Sequence, residues 1–151
     1  MRKMGWMIVL GLLVCGPGVG QAWAGRDAGS LEGSRWKIHA VPDEAAKQQG
    51  EKATRDALIF KDGKMISTGC TRFGFSASPY TATQSGADWV FNTEQTSPKE
   101  GKTAWSGQIA GDTIHGTMVW TASDGRITRY DFQGKRARPF WSRVFCWHKS
   151  T

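Results

Sequence analysis

Few side chains in this 151-residue chain are suited to acid–base, nucleophilic or metal chemistry, and they are scattered. The histidines His39, His115 and His148 have no nucleophile or carboxylate at the spacing of a catalytic motif. Cys70 has no second Cys or His at the spacing of a zinc site, and Cys146 has only the isolated His148 nearby. The chain also lacks a phosphate-binding glycine loop and a Gly-x-Ser-x-Gly motif. We therefore expect no enzymatic activity, no cofactor and no metal site.

The residues that point more clearly to a function are apolar and aromatic. Eight tryptophans, seven phenylalanines and two tyrosines occur in the chain, and several fall between residues 105 and 132. Side chains of this kind bind small apolar or aromatic ligands where they line a pocket. The residues predicted to contact such a ligand are Trp105, Met118, Trp120, Tyr130 and Phe132.

These residues share a face only if the strands that carry them pair in one particular register. A two-residue turn at Gly111-Asp112 places Trp105 opposite Met118. A following three-residue loop at residues 123–125 places Met118 opposite Tyr130, whereas a slip of one residue would bury the cation of Arg129. The register predicts an inner aromatic face and an outer face that carries His115.

Two strand glycines, Gly107 and Gly116, become partners across the same hairpin. A glycine inside a strand allows a bend or close packing, so the pair predicts a sharply coiled sheet with Phe132 over the vacant space. The alternative is that the glycines make room for a ligand.

The sequence as a whole indicates an all-β domain. Eight strands are predicted, near residues 34–41, 56–60, 64–70, 73–83, 88–95, 103–110, 113–121 and 126–134. Most of their connections are short, which favours an antiparallel up-and-down barrel over a twisted sandwich. Asp62-Gly63 is a strong hairpin signal, residues 43–55 predict an exposed loop or a short helix, and Pro79 predicts a bent, bulged or edge strand.

The N-terminus has the pattern of a secretory signal peptide. Two basic residues precede an apolar run, and the triplet Ala22-Trp23-Ala24 predicts cleavage after Ala24. Glycines and Pro17 interrupt the run, which argues against a membrane span. The alternative is a lipoprotein processed at Cys15. We expect a secreted or periplasmic protein with a mature chain of 127 residues and a net charge of +5, since cleavage removes two of the 20 basic residues.

Cleavage would leave two cysteines. In an oxidising compartment Cys70 and Cys146 predict one disulfide, which would close a loop of about 76 residues and stabilise the fold by about 3 to 4 kcal/mol. Two separate buried thiols are the alternative.

The C-terminal residues 136–151 are basic and aromatic. Such a segment is too apolar for a free end, so it predicts packing on the barrel, with contact to an anionic cell-envelope surface as the alternative. The predicted organisation is a signal peptide (1–24), a linker (25–33), the barrel (34–135) and this segment.

Three stretches carry a resemblance to a known family. They are Gly33-Ser34-Arg35-Trp36, Leu58-Ile59-Phe60-Lys61-Asp62-Gly63-Lys64, and the hairpin from Trp105 to Thr117 that leads to Tyr130-Asp131-Phe132-Gln133-Gly134. They resemble small secreted bacterial proteins with a lipocalin-like, more broadly calycin-like, β-barrel. The resemblance implies that Trp36 plugs the barrel base and that the barrel binds a small ligand. A bond from Cys70 to Cys146 would also be lipocalin-like.

Two functions follow from these patterns. The first is a monomeric, non-enzymatic protein that binds a small apolar or aromatic ligand inside the barrel and has no nucleic-acid partner. The second is a secreted interaction or inhibitor protein with a filled core that acts through loops such as residues 43–55 or 96–102. A pocket above about 300 Å³ would favour the first, and a filled core the second.

Overall fold

The computed structural model describes residues 31–138, which form a closed antiparallel barrel of eight strands in sequence order. The last strand pairs with the first, from Trp36 opposite Arg136 to Pro42 opposite Tyr130. The prediction of an eight-stranded up-and-down barrel is therefore confirmed. The predicted signal peptide, Cys15, Cys146, His148 and the C-terminal segment from residue 139 onward lie outside the described residues.

The elements follow one another with short connections. The strands are β1 (Arg35–Pro42), β2 (Thr54–Lys61), β3 (Lys64–Ser67), β4 (Ser78–Ser85), β5 (Asp88–Ser97), β6 (Gly101–Ala110), β7 (Thr113–Thr121) and β8 (Ile127–Arg136). Two one-turn helices interrupt this order, α1 (Glu44–Gln48) between β1 and β2 and α2 (Thr68–Thr71) between β3 and β4.

The alternation of strand direction gives the barrel two different ends. At the hairpin end, two-residue turns join β2 to β3, β4 to β5 and β6 to β7. At the helical end lie the longer connections, which include α1 and α2. The helical end can therefore surround an opening with loops, whereas the hairpin end is compact.

The predicted register of the last three strands is confirmed. Trp105 pairs with Met118 and Gly107 with Gly116, while Tyr130 pairs with Met118 and Phe132 with Gly116. Turn chemistry explains this register, because Gly111 and Gly125 have positive φ angles of 56° and 86°. The first hairpin follows the same rule, since Asp62 and Gly63 have φ angles of 55° and 69°.

The predicted bounds of the third and fourth strands are wrong. The third strand, expected to reach residue 70, ends at Ser67, because the Ser67 hydroxyl accepts a hydrogen bond from the Cys70 backbone N–H (3.1 Å) and caps α2. The fourth strand, expected from residue 73, begins at Ser78. β3 and β4 share only two residue pairs, one of which places Pro79 opposite Lys64, as expected for a proline that cannot donate to a ladder.

The polar segment after β1 contains the short helix that was one of its two predicted forms. Asp43 caps α1 by accepting a hydrogen bond from the Ala46 N–H at 2.8 Å. Gly50 then ends the turn with a positive φ of 89°. The helix buries only Ala46, and most of the other residues of the segment are exposed at the helical end.

Candidate functional site

Large side chains fill the interior at the hairpin end. Trp36 is fully buried there, its indole N–H donates to the Ser34 hydroxyl (2.8 Å), and the Arg136 guanidinium lies 4.7 Å from its ring centre. Next to it, Phe60 and Phe91 pack edge to face with ring centres 5.0 Å apart. This half of the barrel is a packed core that contains Trp36.

The paired glycines belong to this packed half. A Cβ atom on Gly107 would lie 2.6 Å from the Phe91 ring, and one on Gly116 would lie 2.8 Å from the Phe132 ring and collide with the Ser106 carbonyl oxygen. The space left by the glycines is thus filled by two phenylalanines. This packing favours the structural interpretation over room for a ligand.

Toward the helical end the interior is open. A cavity of about 500 Å³ lies between the inner faces of β1, β6, β7 and β8, the segment of residues 50–56 that leads into β2, and the segment of residues 69–75 that includes the end of α2. The barrel strands contribute the apolar lining residues Ile38, Ala40, Trp105, Met118, Trp120 and Tyr130, and the segment after α2 adds Phe73 and Phe75. The opening exists because small side chains, notably Ala40 and Thr103, occupy the inner face at this level.

Four of the five residues predicted to contact a ligand line this cavity: Trp105, Met118, Trp120 and Tyr130. The fifth, Phe132, is buried but does not line it. It packs against Trp105, with ring centres 5.5 Å apart, and so supports the cavity wall from the packed side.

Hydrogen bonds within the protein satisfy the polar atoms of the aromatic wall. The Trp105 indole N–H donates to the Thr103 hydroxyl (3.1 Å), and the Trp120 indole N–H donates to the Glu100 carbonyl oxygen (2.7 Å). The Tyr130 hydroxyl donates to the Glu51 carboxylate at 2.7 Å. Because these groups are already paired, the wall offers a ligand ring faces and apolar edges rather than hydrogen-bonding groups.

Glu51 links the mouth of the cavity to its wall. It accepts the hydrogen bond from Tyr130 and lies 3.7 Å from the Arg126 guanidinium, which in turn stacks 5.3 Å from the Trp120 ring centre. Burial, and then the hydrogen bond to Glu51, raise the pKa of Tyr130 well above its usual value. The phenol is therefore neutral at physiological pH and serves as a fixed part of the wall.

A second polar cluster holds α2 at the mouth. Asp56, at the start of β2, accepts hydrogen bonds from the Thr68 hydroxyl (2.8 Å), the Gly69 backbone N–H (2.6 Å) and the Ser67 hydroxyl (2.5 Å). A Cβ on Gly69 would lie 3.0 Å from this carboxyl group. The cluster fixes α2 beside β2, and with it the part of the rim formed by residues 69–75.

Cys70 lies in this rim and lines the cavity. It is the one cysteine within residues 31–138 and is a free thiol there. Burial raises its pKa, so the thiol is protonated at neutral pH and is a weak nucleophile. The disulfide with Cys146 stays a prediction, since Cys146 lies outside the described residues.

The two histidines of the described chain lie on the outer wall. His39, Gln133 and His115 form one row across β1, β8 and β7, beside a shallow surface groove of about 490 Å³. Both histidines are exposed, which confirms the outward placement of His115. Within residues 31–138, no group of three or more His, Cys, Asp or Glu side chains is arranged to hold a metal ion.

Sequence reasoning missed the residues that build the mouth. The hydrogen-bond partner of Glu51 lies 79 positions away in the chain, and those of Asp56 lie 11 to 13 positions away. No local sequence motif predicts such contacts. Ser67, which precedes a helix-like turn of small polar residues, was a capping signal that could have indicated α2.

Comparison with known proteins gives no relative: no family model, no curated protein and no solved structure matches the chain. In the described part of the chain, no helix has the length and apolar character needed to cross a membrane. The class defined by the fold and the site is thus a closed eight-stranded barrel with one end packed and a half-open cavity at the other.

Proposed function

We propose that the protein is a secreted or periplasmic, non-enzymatic barrel that binds one small apolar or aromatic ligand in the cavity at its helical end. The observation that carries the proposal is the cavity itself, with about 500 Å³ of space against an aromatic wall. Binding sites for small molecules have volumes of roughly 300 to 1,000 Å³, and apolar and aromatic side chains predominate in them.

The character of the wall supports an apolar ligand over a polar one. The indole and phenol groups of Trp105, Trp120 and Tyr130 are already hydrogen-bonded within the protein. A polar ligand packed against these three rings would lose its hydration without gaining hydrogen bonds from them, whereas an apolar ligand gains by leaving water at about 25 cal/mol per Å² of apolar surface.

The packed base supports the same proposal. Trp36, Phe60 and Phe91 are fully buried at the hairpin end, so packed side chains lie beneath the cavity. This division resembles the lipocalin-like plan suggested by the sequence, and we propose membership of that class together with export by the N-terminal segment. The alternative function, an interaction or inhibitor protein with a filled core, fits an open cavity of this size less well.

Tryptophan fluorescence tests the proposal. A panel of aliphatic alcohols and small aromatics should change the emission of the mature protein saturably, with dissociation constants on the order of 1 to 100 μM for ligands of about a dozen heavy atoms. Trp105→Phe and Trp120→Phe should each reduce the change. The matched control is Trp89→Phe, which removes an indole that does not line the cavity.

A flat response to every member of the panel would exclude the cavity as a binding site. A response that Trp89→Phe removes and that Trp105→Phe and Trp120→Phe leave intact would place binding elsewhere on the protein.

A further inference from the structure

One strand edge of the barrel is left open at the hairpin end. β3 and β4 share only two residue pairs, and beyond them the Tyr80 backbone N–H donates to the Gly63 carbonyl oxygen at 3.4 Å. β4 then continues through residues 81–85, which pair with β5 on one side. On the other side they meet no strand among residues 31–138. We name residues 81–85 the open edge.

The free backbone groups of the open edge belong to Ala82 and Gln84. In an antiparallel strand, the backbone N–H and C=O groups of alternate residues point to the same side. Because the Tyr80 N–H points toward β3, the groups of Ala82 and Gln84 point the same way, where no strand of the described chain meets them. Thr83 points its backbone groups the other way and pairs with Val90 of β5. Two donors and two acceptors therefore lie free along the edge.

The open edge lacks the usual protection against pairing with another strand. Natural proteins protect exposed strand edges with charged residues, proline or a bulge. Residues 73–87 contain no Asp, Glu, Lys or Arg, and their single proline, Pro79, lies in the part of β4 that already faces Lys64. Four residues of the open edge are exposed, and Ala82 is half-buried. The edge is therefore accessible and carries no charge that would repel a second strand.

The free groups of the open edge are complementary to themselves. When two copies of the edge lie antiparallel about a twofold axis at Thr83, Ala82 of each copy lies opposite Gln84 of the other. Each of these two pairs exchanges two backbone hydrogen bonds, so all the free donors and acceptors of both edges are used. The two Thr83 side chains face each other in a non-hydrogen-bonded pair, and cross-strand threonine pairs are favourable.

We propose that the open edge is the contact surface for a second copy of this chain, with β4 of one barrel paired to β4 of the other. A second copy is the occupant that this symmetry selects, and residues 73–87 carry no charge by which a different partner would be chosen. The dimer replaces the monomer expected from the sequence. Because the open edge lies at the hairpin end, both cavities stay accessible, and the inference is independent of the proposed function.

Sedimentation velocity of the full mature protein tests the dimer. A contact of one short strand per copy is smaller than the standard interface of about 1,600 Å², so we expect a weak dimer with a dissociation constant on the order of 100 μM. Between about 10 μM and about 1 mM, the weight-average mass should rise from that of one chain toward that of two.

A charge variant assigns the contact to the open edge. Thr83→Lys places two like charges opposite each other at the axis and should weaken the dimer about 5-fold. The matched control is Ser106→Lys, which adds the same charge at an exposed position on β6, two strands away from the edge. It should change the dissociation constant less than about 2-fold.

Cysteine cross-linking tests the register. The Cα atoms of a non-hydrogen-bonded antiparallel pair lie about 4.5 Å apart, within the range of about 4.4 to 6.8 Å that a disulfide requires. Thr83→Cys should therefore form a disulfide-linked dimer on mild oxidation, seen on a non-reducing gel. Thr81→Cys is the control, because residue 81 lies opposite residue 85 in this register and about 14 Å from its own copy. It should not cross-link beyond the wild type, which has the same native cysteines.

Three outcomes would overturn the inference. The first is a mass that stays at one chain up to about 1 mM, which would also be the result if another part of the same chain covered the edge. The second is a dimer that Ser106→Lys weakens as much as Thr83→Lys, because net charge alone would then explain the effect. The third is equal cross-linking of Thr81→Cys and Thr83→Cys, which excludes pairing about Thr83. None of these outcomes bears on ligand binding, so the proposed function stands or fails separately.

Discussion

Replacing Gly116 by alanine tests the packing that separates the base of the barrel from the cavity. The added Cβ would lie 2.6 Å from the Gly107 Cα and 2.8 Å from the Phe132 ring, and would collide with the Ser106 carbonyl oxygen. Two of these neighbours are backbone atoms of the paired strand. The steric clash can therefore be relieved only if the hydrogen-bond ladder between β6 and β7 opens. Overpacking of this kind costs about 1 to 3 kcal/mol, and the lower entropy of the unfolded alanine chain offsets about 0.4 to 1 kcal/mol. The net loss lies between about 0 and 2.6 kcal/mol, and because two of the contacts are with backbone atoms we expect Gly116→Ala to fall near the upper end, at about 2 kcal/mol.

Gly107→Ala should cost less, about 1 kcal/mol, because its closest neighbour is a side chain. Its Cβ would lie 2.6 Å from the Phe91 ring and 2.9 Å from the His115 carbonyl oxygen, so the backbone contact is less severe than at Gly116 and the closest contact is with a ring. Shortening that ring should relieve its part of the strain, so Gly107→Ala should cost less in a Phe91→Leu background than alone. Urea denaturation of the two single variants and of the double variant measures these differences.

The control is Ser106→Ala, an exposed position on the same strand, which should stay within about 0.5 kcal/mol of the wild type. The reasoning fails if Gly116→Ala is as stable as the wild type, or if Gly107→Ala costs the same with and without Phe91.

Three further predictions concern titration, the rim and the disulfide. Tyr80 and Tyr130 are the only tyrosines of the chain, and burial together with hydrogen bonds to carboxylates raises the pKa of both. An alkaline ultraviolet titration should therefore show less than half of the tyrosine ionised at pH of about 10, where a free tyrosine is half ionised. Because the folded-state pKa of both tyrosines is raised, the stability that their phenols contribute is fully present below pH of about 10 and is lost as the pH rises further. The free energy of unfolding should therefore fall less steeply with rising pH in Tyr130→Phe than in the wild type. Asp56→Asn removes the charge that accepts three hydrogen bonds from residues 67–69 and should lower the free energy of unfolding by about 1 to 3 kcal/mol in urea denaturation. If Cys70 and Cys146 are bonded, a thiol assay on the denatured, unreduced mature protein should find no free thiol, and reduction should cost about 3 to 4 kcal/mol of stability.

Each of these has an outcome that contradicts it. Tyrosinate absorbance that follows a free-tyrosine curve would show that the Tyr130 phenol is exposed to solvent. Asp131→Asn is the control for Asp56→Asn, since Asp131 is exposed, and an equal loss in both variants would remove the special role of Asp56. Two free thiols in the unreduced protein would exclude the disulfide.

The barrel and its register could be predicted because their causes are local. Asp62-Gly63 and residues 123–125 fix turn geometry through positive φ angles, as found at Asp62, Gly63 and Gly125. The cost of burying Arg129 then selects one pairing for β7 and β8. Local turn chemistry and face alternation thus determined which side chains point inward.

The cavity mouth could not be predicted, because its causes are contacts between distant parts of the chain. Glu51 is held by Tyr130, 79 residues away, and the polar cluster at Asp56 converts the predicted end of the third strand into α2. Face alternation predicts that Phe132 belongs with the ligand-contacting residues, because it shares their face, but alternation does not specify depth along the barrel axis. The position of a residue along the barrel axis determines whether it belongs to the packed base or to the open cavity.

The most direct test of the account is calorimetric titration of decanol into the wild type and into two variants that each add one ring. Ala40→Phe places the ring on the cavity wall, whereas Ala104→Phe places it on the exposed face of β6. The account predicts one decanol bound per wild-type molecule, loss of binding in Ala40→Phe, and unchanged binding in Ala104→Phe. No binding by the wild type, or equal binding by Ala40→Phe, would contradict the claim that the cavity is the ligand site.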